Sequence, residues 1–160
     1  MIPHDLHQFF SGQHVFMTGV SGFIGSHVAS FLVQTGAHVR AFARSTKDRP
    51  NLAIDWVEGD LLFRDSIDAG IKDCRYVLHV AGDYRFWARD PREIFANNVQ
   101  GTINLLETAK RRGVEKIVCT GTTGILEPGT PERLATEERL ASPAQFAGPI
   151  NGRSFRAISK

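Results

Sequence analysis

The sequence predicts an α/β fold in which helices cover both faces of a parallel sheet. Short apolar runs alternate with stretches of helical periodicity along most of the chain. The first apolar run ends in a glycine-spaced turn that opens a helix, "VFMTGVSGFIGSHVASFL" at residues 15–32. Glycines close the two clearest helical stretches, Gly36 after the first and Gly113 after the longest.

Residues 14–18 are the first strand. Residues 23–35 are a helix, with Phe23, Ile24, His27, Val28, Phe31 and Leu32 at helical spacing. The second strand is expected at 37–43 and a short third at 54–58. A short helix at 65–70 leads to a fourth strand at 75–81. A long helix at 92–112 follows, carrying Ile94, Val99, Ile103, Leu106 and Ala109 on or near one face, and a fifth strand at 116–121. Alternation of this kind builds a doubly wound sheet in the order 3-2-1-4-5. Beyond residue 121 there are four prolines, weak periodicity and no strand pattern. The expected organisation is therefore an N-terminal extension (1–13), a sheet domain (14–121) and an irregular remnant (122–160). The sheet is expected to stop after about five strands. Part of one face and the outer edge of strand five would then be exposed and invite association between copies of the chain.

With 42% hydrophobic and 22% charged residues, 160 residues make about one globular domain. Net charge is +2, and the one basic run, Lys110-Arg111-Arg112, reads as a solvated helix end, so no nucleic-acid partner is expected. No apolar run reaches the roughly 18 residues that a membrane span needs, and residues 1–13 make a poor signal peptide. Cys74 and Cys119 both lie in apolar runs and read as buried free thiols of a cytoplasmic protein. The six histidines show no metal-ligand spacing.

The turn after strand one has the spacing Gly19-x-x-Gly22-x-x-Gly25, with Ser21 inside it. In a Rossmann-type domain the first glycine permits the tight turn. The second lets backbone approach a pyrophosphate, and the third lets helix and sheet pack closely. The positive helix end then faces the phosphates. Such a loop, following a strand and opening a helix, is expected to bind a dinucleotide, NAD(P), the alternative being a glycine-rich turn without a ligand. At the end of strand two, where an acid reads the ribose of NAD, this chain has Arg44, with Arg40 and Lys47 nearby and no acid before Asp48. A cation there suits the 2′-phosphate of NADP, which makes NADP the expected cofactor over NAD.

These residues also resemble a family. "TGVSGFIG", "VEGDL", "LHVAG" and "NNVQGT" occur in the order of the landmarks of extended short-chain dehydrogenases/reductases, the NAD-dependent epimerase/dehydratase group. "DYRFWARDPREIFANNVQGTINLLE" is similar to the dihydroflavonol-reductase-like branch that includes hopanoid-associated sugar epimerases. The resemblance runs from about residue 15 to 121 and more loosely to 157. It implies that Gly19, Gly22, Phe23, Ile24 and Gly25 hold the pyrophosphate and that Arg44 meets the 2′-phosphate. It further implies that Asp60 and Leu61 flank the adenine and that Ala81 and Gly82 line the dinucleotide. Asn98 would order the helix beside the nicotinamide. Taken as residues alone, Asp60 reads equally well as a turn residue and Asn98 as a polar helix residue.

The resemblance also implies three reacting groups: a Ser or Thr after strand five, and a Tyr and Lys four residues apart on the next helix. Thr122 matches the hydroxyl position. The tyrosines are Tyr76 and Tyr84, and no Tyr-x-x-x-Lys occurs in the 160 residues. In the counterpart stretch "GPINGRSFRAI", one alignment puts Ile150 and Ser154 at the Tyr and Lys positions; another puts Asn151 at the first and deletes the second. Neither Ile nor Asn titrates near neutral pH. Tyr84, Arg85 and Trp87 read as surface residues on a polar loop, with a pocket wall as the alternative. The family's C-terminal substrate domain is expected to be missing, since extended members run to roughly twice this length. The sequence thus points to a cofactor-binding domain without catalysis of its own. An active oxidoreductase or epimerase acting on a small carbonyl or nucleotide sugar, and a truncated gene product without independent function, stand as alternatives.

Overall fold

The structure is a computed structural model that describes residues 4–47, 49–85 and 87–140. Its centre is a parallel sheet of five strands, β1 (His14–Thr18), β2 (His38–Ala43), β3 (Asp55–Glu58), β4 (Tyr76–His79) and β5 (Lys116–Cys119), in the order β3-β2-β1-β4-β5. This is the expected doubly wound order. The chain winds outward from β1 through β2 to β3, then returns to lay β4 on the other side of β1. The carboxyl ends of β1 and β4 therefore flank a topological switch point.

Alternation along the strands divides the core between two faces. Val15 and Met17 of β1, with Val39 and Ala41 of β2, pack on Ala29 and Leu32 of α2 (Phe23–Gln34). On the opposite face Phe16, Phe42 and Val77 meet Ile67 of α3 (Arg64–Gly70) and Leu105 and Ala109 of α5 (Gly101–Arg111). No described helix is long and apolar enough to cross a membrane.

Five features differ from the sequence expectations. A short helix, α1 (His4–Phe10), precedes β1, and its Phe9 ring stacks on Tyr76 at 5.4 Å. The expected long helix is three segments: α4 (Pro91–Phe95), a π-helical turn (Ala96–Gln100) and α5. A π turn closes i→i+5 bonds, so it rotates every later residue relative to the face in front of it. Asn98, Gly101, Asn104, Leu105, Thr108 and Ala109 are consequently buried, whereas Ile103 and Leu106 of the expected apolar face are exposed. In α2 the buried stripe is Gly25, Ala29 and Leu32, and Phe23 at the first turn is 82% exposed.

The remaining two differences concern Cys119 and the basic run. Cys74 is buried as expected, but Cys119 is exposed, because β5 has β4 as its one paired neighbour among the described residues. Val118 beside it is 55% exposed. Arg111 and Arg112 are not merely solvated: both donate to the Asp68 carboxylate on α3, at 2.9 and 2.8 Å, and hold it well below the usual carboxylate range. Past β5, residues 122–140 contain a single 3-10 turn (Thr123–Ile125) and two isolated bridges, Leu126 with Leu140 and Thr130 with Arg133. Ile150, Asn151 and Ser154 lie outside the described residues.

Candidate functional site

A cavity of about 440 Å³ opens at the carboxyl ends of β1 to β4. Gly19, Ser21, Gly22, Arg44, Asp60, Leu61, Ala81, Gly82 and Asn98, all singled out from the sequence, line it. Phe23, Ile24, Gly25 and Thr122 are not among its lining residues.

The floor is the turn from β1 into α2. Gly19 has φ +78°, which L side chains rarely adopt, and a Cβ there would lie 2.5 Å from the Ala81 nitrogen. A Cβ on Gly25 would collide with the Gly19 carbonyl, so α2 can approach the loop this closely only through a glycine. Gly22 differs: its backbone is extended (φ −86°, ψ 169°), and the nearest atom to an added Cβ is the Gly19 oxygen at 3.3 Å. No side chain among the described residues caps this helix end. Gly22 as N-cap offers no side-chain bond, the first turn has no acid, and the N–H groups of Phe23, Ile24 and Gly25 have no backbone acceptor among the described residues. Phe23 and Ile24 thus contribute backbone to this end, their side chains being exposed.

On the β2–β3 side stands Arg44, exposed and without an ion pair among the described residues. Arg40 is not its companion. Its guanidinium donates to the carbonyls of Gly70 (3.1 Å) and Lys72 (2.6 Å), capping the far end of α3 and lying 3.8 Å from the Cys74 sulfur. Asp60 is both turn residue and cavity wall. Its Oδ1 accepts from the Leu62 N–H at 2.9 Å, and its own N–H donates to the Ser66 hydroxyl at 3.2 Å.

On the β4 side a buried polar chain fixes the wall. The Ala81 N–H donates to Thr18 Oγ1 (3.2 Å), which lies 2.7 Å from His79 Nδ1, and His79 Nε2 lies 3.0 Å from Thr102 Oγ1 on α5. Asn98 acts on the loop rather than on its own helix: its Oδ1 accepts from the Asp83 N–H at 2.6 Å and its Nδ2 donates to the Asp83 carbonyl at 2.8 Å. The Asp83 carboxylate takes bonds from Asn97 (3.0 Å) and from Arg85 (2.9 and 2.7 Å). The Arg85 guanidinium, aided by Asn97, lowers the Asp83 carboxyl to about 2 despite its burial. Tyr84 stands at the cavity rim, 77% exposed, and Trp87 is exposed outside it. Thr122 is exposed, and its Oγ1 accepts from the Gly124 N–H at 3.2 Å, capping the 3-10 turn.

Thr18, His79, Asp83 and Asn104 were not found from the sequence. The signal available for His79 was a histidine inside an apolar strand, where a buried imidazole needs partners for both nitrogens.

Comparison with known proteins agrees with this geometry. The family model described as the NAD dependent epimerase/dehydratase family matches residues 15–149. A 2-alkyl-3-oxoalkanoate reductase of Shewanella oneidensis is 31% identical over 120 residues, covering 74% of this chain and 31% of that protein. A dihydroflavonol 4-reductase of Dianthus caryophyllus is 29% identical over 156 residues, covering 89% and 43%. A short-chain dehydrogenase/reductase superfamily protein from Agrobacterium tumefaciens, solved with bound NAD, is 25% identical with a TM-score of 0.72, covering 91% of this chain and 42% of that one. The chain spans about a third to two fifths of the length of the curated relatives it matches.

Proposed function

The chain belongs to the NAD dependent epimerase/dehydratase family, and we propose that residues 14–121 are its NADP(H)-binding Rossmann domain. One observation carries this reading: the N-terminus of α2 opens on the cavity with no side-chain cap among the described residues, and Gly22 leaves room above it for a pyrophosphate. The N–H groups of Phe23, Ile24 and Gly25 would hold the phosphates. Arg44, lining the cavity on the β2 side where an acid would favour NAD, would pair with a 2′-phosphate. Asp60 and Leu61 would bound the adenosine half, and Ala81, Gly82 and the loop held by Asn98 the nicotinamide half. The dinucleotide, when bound, supplies hydride transfer.

Proton exchange with a substrate oxygen is a separate requirement. In these 160 residues no Tyr-x-x-x-Lys is present, and the Thr122 hydroxyl caps a turn outside the cavity. We therefore read residues 122–160 as lacking the acid and the ammonium of the reaction, so that residues 14–121 hold the cofactor without turning it over. The reductases among the relatives support carbonyl reduction as the chemistry of a whole protein of this kind. Thermal unfolding with and without NADPH tests the binding reading. A ligand that binds the folded state raises the midpoint with concentration, and a midpoint that does not move contradicts it.

A further inference from the structure

The two loops that wall the cavity are gripped by one helical segment, through asparagines on either side of its π turn boundary. Asn98, inside the π turn, holds the loop after β4 at Asp83. Asn104, in α5 and buried, holds the loop after β3. Its Nδ2 donates to the carbonyls of Leu61 (2.9 Å) and Leu62 (3.2 Å), and its Oδ1 accepts from Arg64 Nε (2.9 Å) and Gln100 Nε2 (2.9 Å). Both amide hydrogens and both oxygen lone pairs are used, and the opposite amide orientation would set donors against donors. The side chain therefore has one working orientation. One turn earlier, a Cβ on Gly101 would lie 3.1 Å from Leu61 Cβ, so the same loop rests on the helix where a side chain is missing.

We propose that Asn104 is a positioning residue for the adenosine half of the dinucleotide, acting through the Asp60–Leu61 wall and not on the nicotinamide half. The proposal rests on the cofactor reading above. Its physical content is the placement of two loops by one rigid element. The adenosine side lies over β2 and β3, on the opposite side of β1 from β4, so the Asn104 grip and the Asn98 grip act on different halves of the ligand. Replacing Asn104 with Asp keeps its size but removes both donors, leaving the Leu61 and Leu62 carbonyls facing a carboxylate.

The test compares 2′,5′-ADP, which carries only the adenosine half, with NADPH, on the full chain. Asn104→Asp is expected to weaken both ligands by the same factor, on the order of tenfold, with the emission of the bound nicotinamide unchanged. A general loosening of the fold would weaken NADPH by more than the fragment and change that emission. Gly101→Ala, which pushes Leu61 by a methyl group, serves as the second variant and decides the matter if Asn104→Asp does not fold. Wild-type affinity for 2′,5′-ADP in a folded variant, or a loss confined to NADPH, overturns the proposal. A wild-type chain that binds neither ligand overturns the cofactor reading itself, and the role of Asn104 with it.

Discussion

Gly22→Val should separate binding from folding. The position has extended backbone that any residue adopts, and valine favours it. An added Cβ meets one atom of the protein, the Gly19 oxygen at 3.3 Å, which must yield by a few tenths of an ångström. The cost in stability should be about 1–2 kcal/mol, valine being a poorer N-cap than glycine, which is in the range of an ordinary substitution. The γ carbons, however, occupy space at the cavity floor where the phosphates would approach the α2 N–H groups. Each hydrogen bond to a charged group is worth about 1.5–3 kcal/mol, and 1.4 kcal/mol is tenfold, so each lost bond weakens NADPH by about 10- to 100-fold. Isothermal calorimetry beside thermal unfolding reads both effects. Gly25→Ala is the contrast: its Cβ runs into the Gly19 carbonyl, so folding should fail first. A folded Gly22→Val chain with wild-type affinity would mean that the loop is a turn and nothing more.

Three further outcomes are expected. The Asp83 carboxyl, at about 2 in the folded chain against 3.8 ordinarily, contributes stability above about pH 4 that is lost as pH falls through 2. With Arg85 half-exposed, Asp83→Asn should cost about 1–2 kcal/mol at pH 7, and the cost should fade as pH drops through 2; urea unfolding at neutral and acid pH showing a constant difference would refute this. These 160 residues should consume no NADPH above buffer with aldehydes, ketones or nucleotide sugars, because general acid catalysis supplies about 10²- to 10⁴-fold and no Tyr-x-x-x-Lys pair is present in them to supply the proton; turnover abolished by Thr122→Ala would reverse that conclusion. The half-exposed Val118 on a strand paired on one side among the described residues should drive association of the isolated chain, and light scattering that shows a monodisperse monomer would contradict it.

The sheet was legible because each strand is a short apolar run bounded by turn residues, and parallel order follows from the helices between them. The glycine loop was legible because its three positions answer three separate steric demands. What escaped is set by contacts distant in sequence. The π turn is invisible to periodicity, since the residues before and after it are each helical; the grips of Asn98 on Asp83 and of Asn104 on Leu61 and Leu62 join residues some 15 and 40 positions apart in sequence. Arg40 looks like a companion of Arg44 along the strand, yet it reaches α3 some 30 residues away in sequence. Cys119 looks buried by the company it keeps, and only the position of β5 in the sheet exposes it.

The central claim is that this cavity holds NADP(H) with Arg44 on the 2′-phosphate. Titrating NADPH and NADH into the wild-type chain and into Arg44→Asp, in one calorimetric series, tests it most directly. The account predicts that the wild type binds NADPH more tightly by about 1.5–3 kcal/mol, the worth of a hydrogen bond to a charged group, and that Arg44→Asp erases or inverts this preference. Equal wild-type affinities would contradict the assignment of Arg44, and no binding of either nucleotide would contradict the claim as a whole.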